Sequence, residues 1–227
     1  LLNGARSLRF DLPAFFGSHQ LTDQVLGLCK KNGHSRLARV RLVVFRGSGG
    51  LYDAADHFPN YIIESWPLPA GSGDLNPNGL FIDIFPDGRK ACDPYSNIKA
   101  NSFLLYALAA LHAKANGLND CLVLNTRERI ADSTIANLFY SRADKIFTPP
   151  LSEGCVAGVM RRHLLERLPG AGFTVEEKET SPEDLETAEE VWLTNAIRGL
   201  NWVQGFRNAK YGHALSHSVY DSVIKTL

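Results

Sequence analysis

The chain has 227 residues, 24 Lys plus Arg against 24 Asp plus Glu, 44% hydrophobic and 21% charged residues, and a mean hydropathy of −0.13. That balance excludes a disordered or fibrous chain, and zero net charge gives no global field toward nucleic acid or an acidic membrane. No apolar run reaches the roughly 20 residues that cross a bilayer, and the N-terminus lacks the regions of a signal peptide, so a cytoplasmic protein with no nucleic-acid or membrane partner is expected. The length allows one large domain or two small ones.

In chain order, Leu1 to Phe10 reads as the inside of a helix, and a start at Leu rather than Met leads us to expect that a preceding segment is missing. Leu21 to Lys31 carries apolar groups at Leu21, Val25, Leu28 and Cys29, the spacing of an amphipathic helix, with Asn32-Gly33 as its stop. Ala38 to Phe45 and Tyr61 to Trp66 read as a hairpin-like pair of strands around a glycine-rich loop, RGSGG. PLPAGSGDLNPNG, from Pro67 to Gly79, is the linker-like break in composition, and we place a domain boundary there. The expected division is a small N-terminal α+β domain over 1–70, a linker over 71–78 and a larger domain over 79–227.

Beyond the linker, strands are predicted at Leu80 to Phe85, Asp120 to Asn125, Asn137 to Tyr140, Lys145 to Phe147 and Glu190 to Thr194. Helices are predicted at Phe103 to Ala115 and Val159 to Leu168, and a Ser- and His-rich helix closes the chain. The pattern is mixed α and β, without repeats.

Several chemical signals fail. RGSGGLY has Tyr52 where a dinucleotide loop needs its third glycine, and it lacks the Gly-Lys-Ser/Thr ending of a P-loop. His213 and His217 have no neighbouring third ligand, so no metal is expected. Cys29, Cys92, Cys121 and Cys155 show no metal or disulfide spacing and read as reduced, packed thiols.

What remains is an ordered series: VRLVVFRGSGGLY, SNIKANSFLLYALAALHA, LVLNTRERIADSTIANLF, TPPLSEGCVAGVMRRHLLE and EEVWLTNAIRGLNWV. From about Arg39 to Val203 this series resembles the class IV aminotransferases. These are fold-type IV enzymes of pyridoxal phosphate (PLP) that include branched-chain and D-amino-acid aminotransferases and 4-amino-4-deoxychorismate lyase. The resemblance implies an α+β fold with a small α/β domain and a larger domain built on a distorted barrel-like sheet. It also implies PLP in the cleft between them and a homodimer.

By the same resemblance Lys99 is the Schiff-base lysine and proton shuttle, a role that needs an amine able to shed its proton. Asp132, where the family commonly has Glu, is the implied partner of the pyridine nitrogen, one methylene shorter, followed by Asn137 in the matching pattern. From the residues alone, Lys99 reads as a surface lysine and Asp132 as a turn or helix-cap carboxylate. Gly158, Val159 and Met160 match the turn whose amides hold the cofactor phosphate, and Thr194, Asn195 and Ala196 match a second phosphate contact. An arginine from an HxxRL-like stretch would fall just before Leu1. Arg46, and after it Arg41, are the implied grips for a substrate carboxylate, against the plain reading of solvated strand-edge arginines.

The local motifs divide on the reaction. RGSGG, GVMR and TNA look like the lyase, but KANSFLLY lacks the KxxNR pattern usual there. An aminotransferase acting on an amino acid and a 2-oxo acid is the first expectation. The lyase, releasing pyruvate and p-aminobenzoate from aminodeoxychorismate, is the second, and a noncatalytic interaction domain the third.

Overall fold

The computed structural model describes residues 1–34, 37–49 and 56–225, so positions 50–55 of the expected glycine-rich loop lie outside the described residues. Two compact units divide the chain, Leu1–Ser72 and Gly73–Leu227.

The first unit holds helices α1 (Leu2–Ser7) and α2 (Ser18–Lys31) and strands β1 (Ala38–Phe45) and β2 (Asn60–Pro67). The strands pair antiparallel from Ala38 opposite Pro67 to Phe45 opposite Asn60, the expected pair with each end of β2 one residue longer. Helix α2 begins three residues before the predicted start and buries Leu21.

The second unit is a nine-stranded mixed sheet. Its strands are β3 (Leu80–Lys90), β4 (Asp120–Asn125), β5 (Ile130–Ser133), β6 (Asn137–Arg142), β7 (Lys145–Thr148), β8 (Thr174–Glu177), β9 (Glu190–Asn195), β10 (Gly199–Phe206) and the short β11 (Ala209–Lys210). Its helices are α3 (Leu104–Ala115), α4 (Val159–Arg167), α5 (Pro182–Glu186) and α6 (Ala214–Val219), the last continued by a π-helical turn over Tyr220–Ile224. The sheet runs β5-β4-β3-β10-β9-β6-β7-β8, with β11 on β10.

This order forces the sheet to curl. Strands β5 and β6 are five positions apart, which in a flat sheet is about 24 Å at the usual interstrand spacing. Yet only Thr134, Ile135 and Ala136 join them, and a chain that short spans at most about 14 Å. The Ser133 amide donates to Ala136 O at 2.9 Å, closing the turn.

Alternation then fills both faces of the curl. Leu138, Tyr140, Val191 and Leu193 join Ile82, Leu122 and Val203 in one core, while Phe139 and Trp192 point the other way, with rings stacked at 6.2 Å, onto Met160 and Leu164 of α4. A third core sets Ala109 and Ala113 of α3 on Phe85, Cys121 and Val123.

Strand β10 was not predicted from the sequence, because Asn, Gln and two glycines interrupt GLNWVQGF. It forms because it has strand partners on both sides, antiparallel to β9 and parallel to β3. Strand β3 runs five residues past its predicted end, through Pro86-Asp87-Gly88, as far as Lys90.

Candidate active site

Asp132 is the most deeply placed of the expected site residues, with a side chain only 2% exposed. A break in strand register puts it there. Leu124 faces Ile130, but Val123 faces Asp132, so Ala131 is the extra residue of a bulge. Because one residue of slip exchanges the faces of a strand, Asp132 turns from the core of Ile130 to the side of Val123, under α3. A larger irregularity in β3, between Ile84 opposite Leu122 and Arg89 opposite Leu124, sets Lys90 opposite Asn125 on that same side.

There the Lys90 ammonium lies 3.1 Å from Asp132 Oδ2 and donates to the Tyr106 hydroxyl. The Tyr106 hydroxyl is 3.0 Å from each Asp132 oxygen, and the Val156 amide donates to Oδ2 at 2.9 Å. Burial raises the Asp132 carboxyl above its ordinary pKa, and the Lys90 charge and the donated hydrogen bonds offset only part of that rise. Burial, followed by the neighbouring Asp132 charge, pushes the Tyr106 hydroxyl well above its usual value, so it stays a protonated donor. Sequence reasoning missed Lys90 and Tyr106. GRKACDP looks like a charged surface stretch and Tyr106 like one more ring in an apolar helix, and no local signal marks either.

Segment 151–157 carries the Val156 amide, and three groups hold it. Glu153, fully buried, accepts from Arg129 at 2.6 and 2.8 Å and from Asn125 Nδ2 at 2.8 Å. Gly154 has φ of +85°, and a Cβ on it would stand 2.4 Å from Ala91 O, so glycine is required there. Asn97 Nδ2 donates to Leu151 O and Cys155 O, and the Ala157 amide donates to Asn97 O. Asn97 thereby ties this segment to the loop of Lys99.

Lys99 lies two residues beyond that tie, in the irregular stretch between β3 and α3. Its side chain is exposed, with no hydrogen bond or ion pair among the described residues.

Asn137 Nδ2 donates to Val156 O at 2.8 Å, beside the start of α4, where Gly158 is the N-cap. No side chain caps α4, so the first amides, those of Val159, Met160 and Arg161, point outward without intrahelical acceptors. Thr194 pairs with Asn137 across β9 and β6; its hydroxyl is buried and, among the described residues, has no partner. Asn195 is differently employed, since its Oδ1 accepts from the Ile197 and Arg198 amides, and Ala196 lies within that same turn. An orphaned hydroxyl beside an uncapped helix start is chemically suited to an anion.

Arg41 and Arg46 belong to the first unit. Arg41 pairs with Glu64, and Arg46 donates to His57 Nδ1 at 3.1 Å and to Leu8 O while lying over the Phe10 ring. In this structure both guanidiniums have protein partners.

A sequence model of the amino-transferase class IV family matches residues 1–204. The chain belongs to that family. It is similar to aminodeoxychorismate lyase of Vibrio harveyi, 36% identical over 171 residues, which are 74% of this chain and 63% of that protein. It is also similar to branched-chain-amino-acid aminotransferase 6 of Arabidopsis thaliana, 33% identical over 160 residues, 65% of this chain and 42% of that one. The chain thus spans less than two thirds of the length of these curated relatives.

Among solved structures, the branched-chain amino acid aminotransferase of Thermobaculum terrenum in its PLP form superposes with a TM-score of 0.88 at 18% identity, covering 99% of this chain and 75% of that one. The fold is therefore that of the fold-type IV enzymes, as the sequence led us to expect. Membership of the family implies a PLP cofactor. The residues present fit one: a buried carboxylate, and the orphaned Thr194 hydroxyl with the open amides of α4.

Among the described residues no helix is long and apolar enough to cross a membrane, and no group of three or more metal-ligating side chains gathers.

Proposed function

We propose that this class IV protein is a PLP-dependent aminotransferase, moving the amino group of an amino acid to a 2-oxo acid. The observation that carries this reading is the buried Asp132 carboxylate, held by a lysine, a tyrosine and an amide, in a unit that also presents the open start of α4. When bound, PLP supplies an electron sink for the carbanion formed at the substrate α-carbon.

In this reading the Asp132 carboxylate would keep the proton on the pyridine nitrogen. The amides of Val159 and Met160, and that of Gly158 once it gives up Val156 O, would hold the phosphate with Thr194, Asn195 and Ala196, and Asn137 fixes the turn that presents them. The Lys99 amine would hold the cofactor covalently and, once displaced by the substrate amine, would take the α-proton and return it. Exposure suits a side chain that must move between those tasks, and Asn97 fixes the backbone two residues before it. Arg46 and Arg41 would grip the substrate carboxylate, each giving up a present partner to do so. A cytoplasmic homodimer is part of this proposal; the resemblance and four cysteines outside disulfides support it.

A second reading is favoured by one observation, the 36% identity to an aminodeoxychorismate lyase. It uses the same amine and carboxylate and differs in where electrons leave the substrate, expelling pyruvate and leaving p-aminobenzoate.

The test is the absorption spectrum of the protein with PLP, before and after borohydride, and mapping of the reduced adduct. A band fixed onto Lys99 is expected, and no band, or an adduct elsewhere, overturns the proposal. L-glutamate, L-leucine and D-alanine with 2-oxo acids, run beside aminodeoxychorismate, then separate the reactions by which product appears.

A further inference from the structure

We propose that Lys90, assisted by Tyr106, is a positioning residue of the cofactor site, whose ammonium keeps the Asp132 carboxylate ionised and aimed. This rests on the reading in which Asp132 serves the pyridine nitrogen, a service that only the charged carboxylate performs. A carboxyl as buried as Asp132 takes up a proton unless an opposite charge or strong donors hold it ionised.

Oδ2 receives Lys90 and the Val156 amide, and the Tyr106 hydroxyl lies 3.0 Å from both oxygens. Among the described residues, two other titratable groups lie near this pair. The Cys155 thiol, on the same segment as Val156, is pushed up to about 11 by burial, so it stays neutral. The Asp93 carboxylate, in the loop after β3, is held below its ordinary value first by the Ser96 hydrogen bond and least by the Lys90 charge.

Stability alone explains the pair poorly. Buried ion pairs are often replaced by apolar side chains with no loss, and here two strand irregularities are needed to bring the partners to one face. Nor does Lys90 suit the covalent role. The aldehyde carbon of the cofactor lies across the ring from its nitrogen, so an amine in contact with the carboxylate that serves the nitrogen cannot reach it.

The experiment uses the cofactor-free protein carrying 13C at aspartate carboxyls, with Asp132→Asn to assign the signal. Lys90→Met is expected to raise the Asp132 titration midpoint by about 1 to 3 pH units, the effect of an adjacent opposite charge, and Lys90→Arg to restore it. An unmoved midpoint in folded Lys90→Met, or no restoration in folded Lys90→Arg, overturns the proposal. If Lys90→Met does not fold, Lys90→Gln, uncharged but still a donor, decides by the same criterion. PLP uptake by the unaltered protein is measured separately: its failure sinks the proposed function, while the carboxyl titration still decides the role of Lys90.

Discussion

The side-chain oxygen of Asn137 stands 2.0 Å from where a Cβ on Gly158 would be, so strand β6 and the start of helix α4 meet at a point with room for a hydrogen atom only. Asn137 cannot easily yield, since its amide is bonded to Val156 O. That contact sets the direction in which the first amides of α4 point.

Gly158→Ala should therefore displace Asn137 or tilt the first turn of α4. The expected cost is about 1 to 3 kcal/mol, as for overpacking in a tight core. PLP affinity should fall at least tenfold, because the phosphate amides move with the turn. Equilibrium denaturation and PLP titration read the two effects; unchanged affinity would remove this turn from the phosphate site.

Thr194→Val separates function from stability in the opposite sense. The Thr194 hydroxyl is buried without a partner among the described residues, and replacing it with a methyl relieves an unsatisfied group. Stability of the cofactor-free protein should stay level or rise by up to about 1 kcal/mol, while PLP binding weakens. A drop in stability of that size would mean that the hydroxyl has a partner in the protein itself.

Lys99→Ala should abolish turnover and borohydride fixation together. Because the side chain is exposed, the melting of the cofactor-free protein should stay within about 0.5 kcal/mol of the parent, as for ordinary surface changes. Residual turnover would exclude the role proposed for this lysine.

Glu153 supplies a pH prediction. Burial pushes its carboxyl up, but Arg129, Asn125 and the Arg127 charge pull it further down, so its folded pKa lies below the ordinary value. A depressed folded value means that its contribution is fully present above the unfolded pKa of about 4.3 and is lost as pH falls through the folded value. Against Glu153→Gln, the parent should be more stable by about 3 kcal/mol at pH 7, with the gap closing on acidification below pH 4. A gap that stays constant down to pH 3 would contradict this account.

Local patterning made much of the second unit legible before any coordinates. The alternation of NLFYS and EVWLT announced β6 and β9, and the glycine before VMRRHLLE announced α4, because each signal is carried by residues adjacent in the chain. The ordered motifs likewise led to the family that the comparisons establish, and named Asp132, Asn137 and Gly158 as candidates. The sequence could not tell that Asp132 faces α3 rather than the core of Ile130, since that depends on which residue of β4 it meets. A bulge at Ala131 and a larger slip in β3 decide that, and neither leaves a mark on composition or period.

Strand β10 shows the same division, for two polar residues and two glycines hide a strand that exists because β3 and β9 flank it. Lys90 was invisible for a related reason. Nothing in GRKACDP distinguishes a solvated lysine from a buried one, and only the slip in β3 and the bulge in β5, on either side of β4, turn it to the side of Asp132. What lies along one element could be read from its own residues, whereas the meeting of charged and polar groups from β3, α3 and β5 required the register of neighbouring strands and the packing of α3 on them.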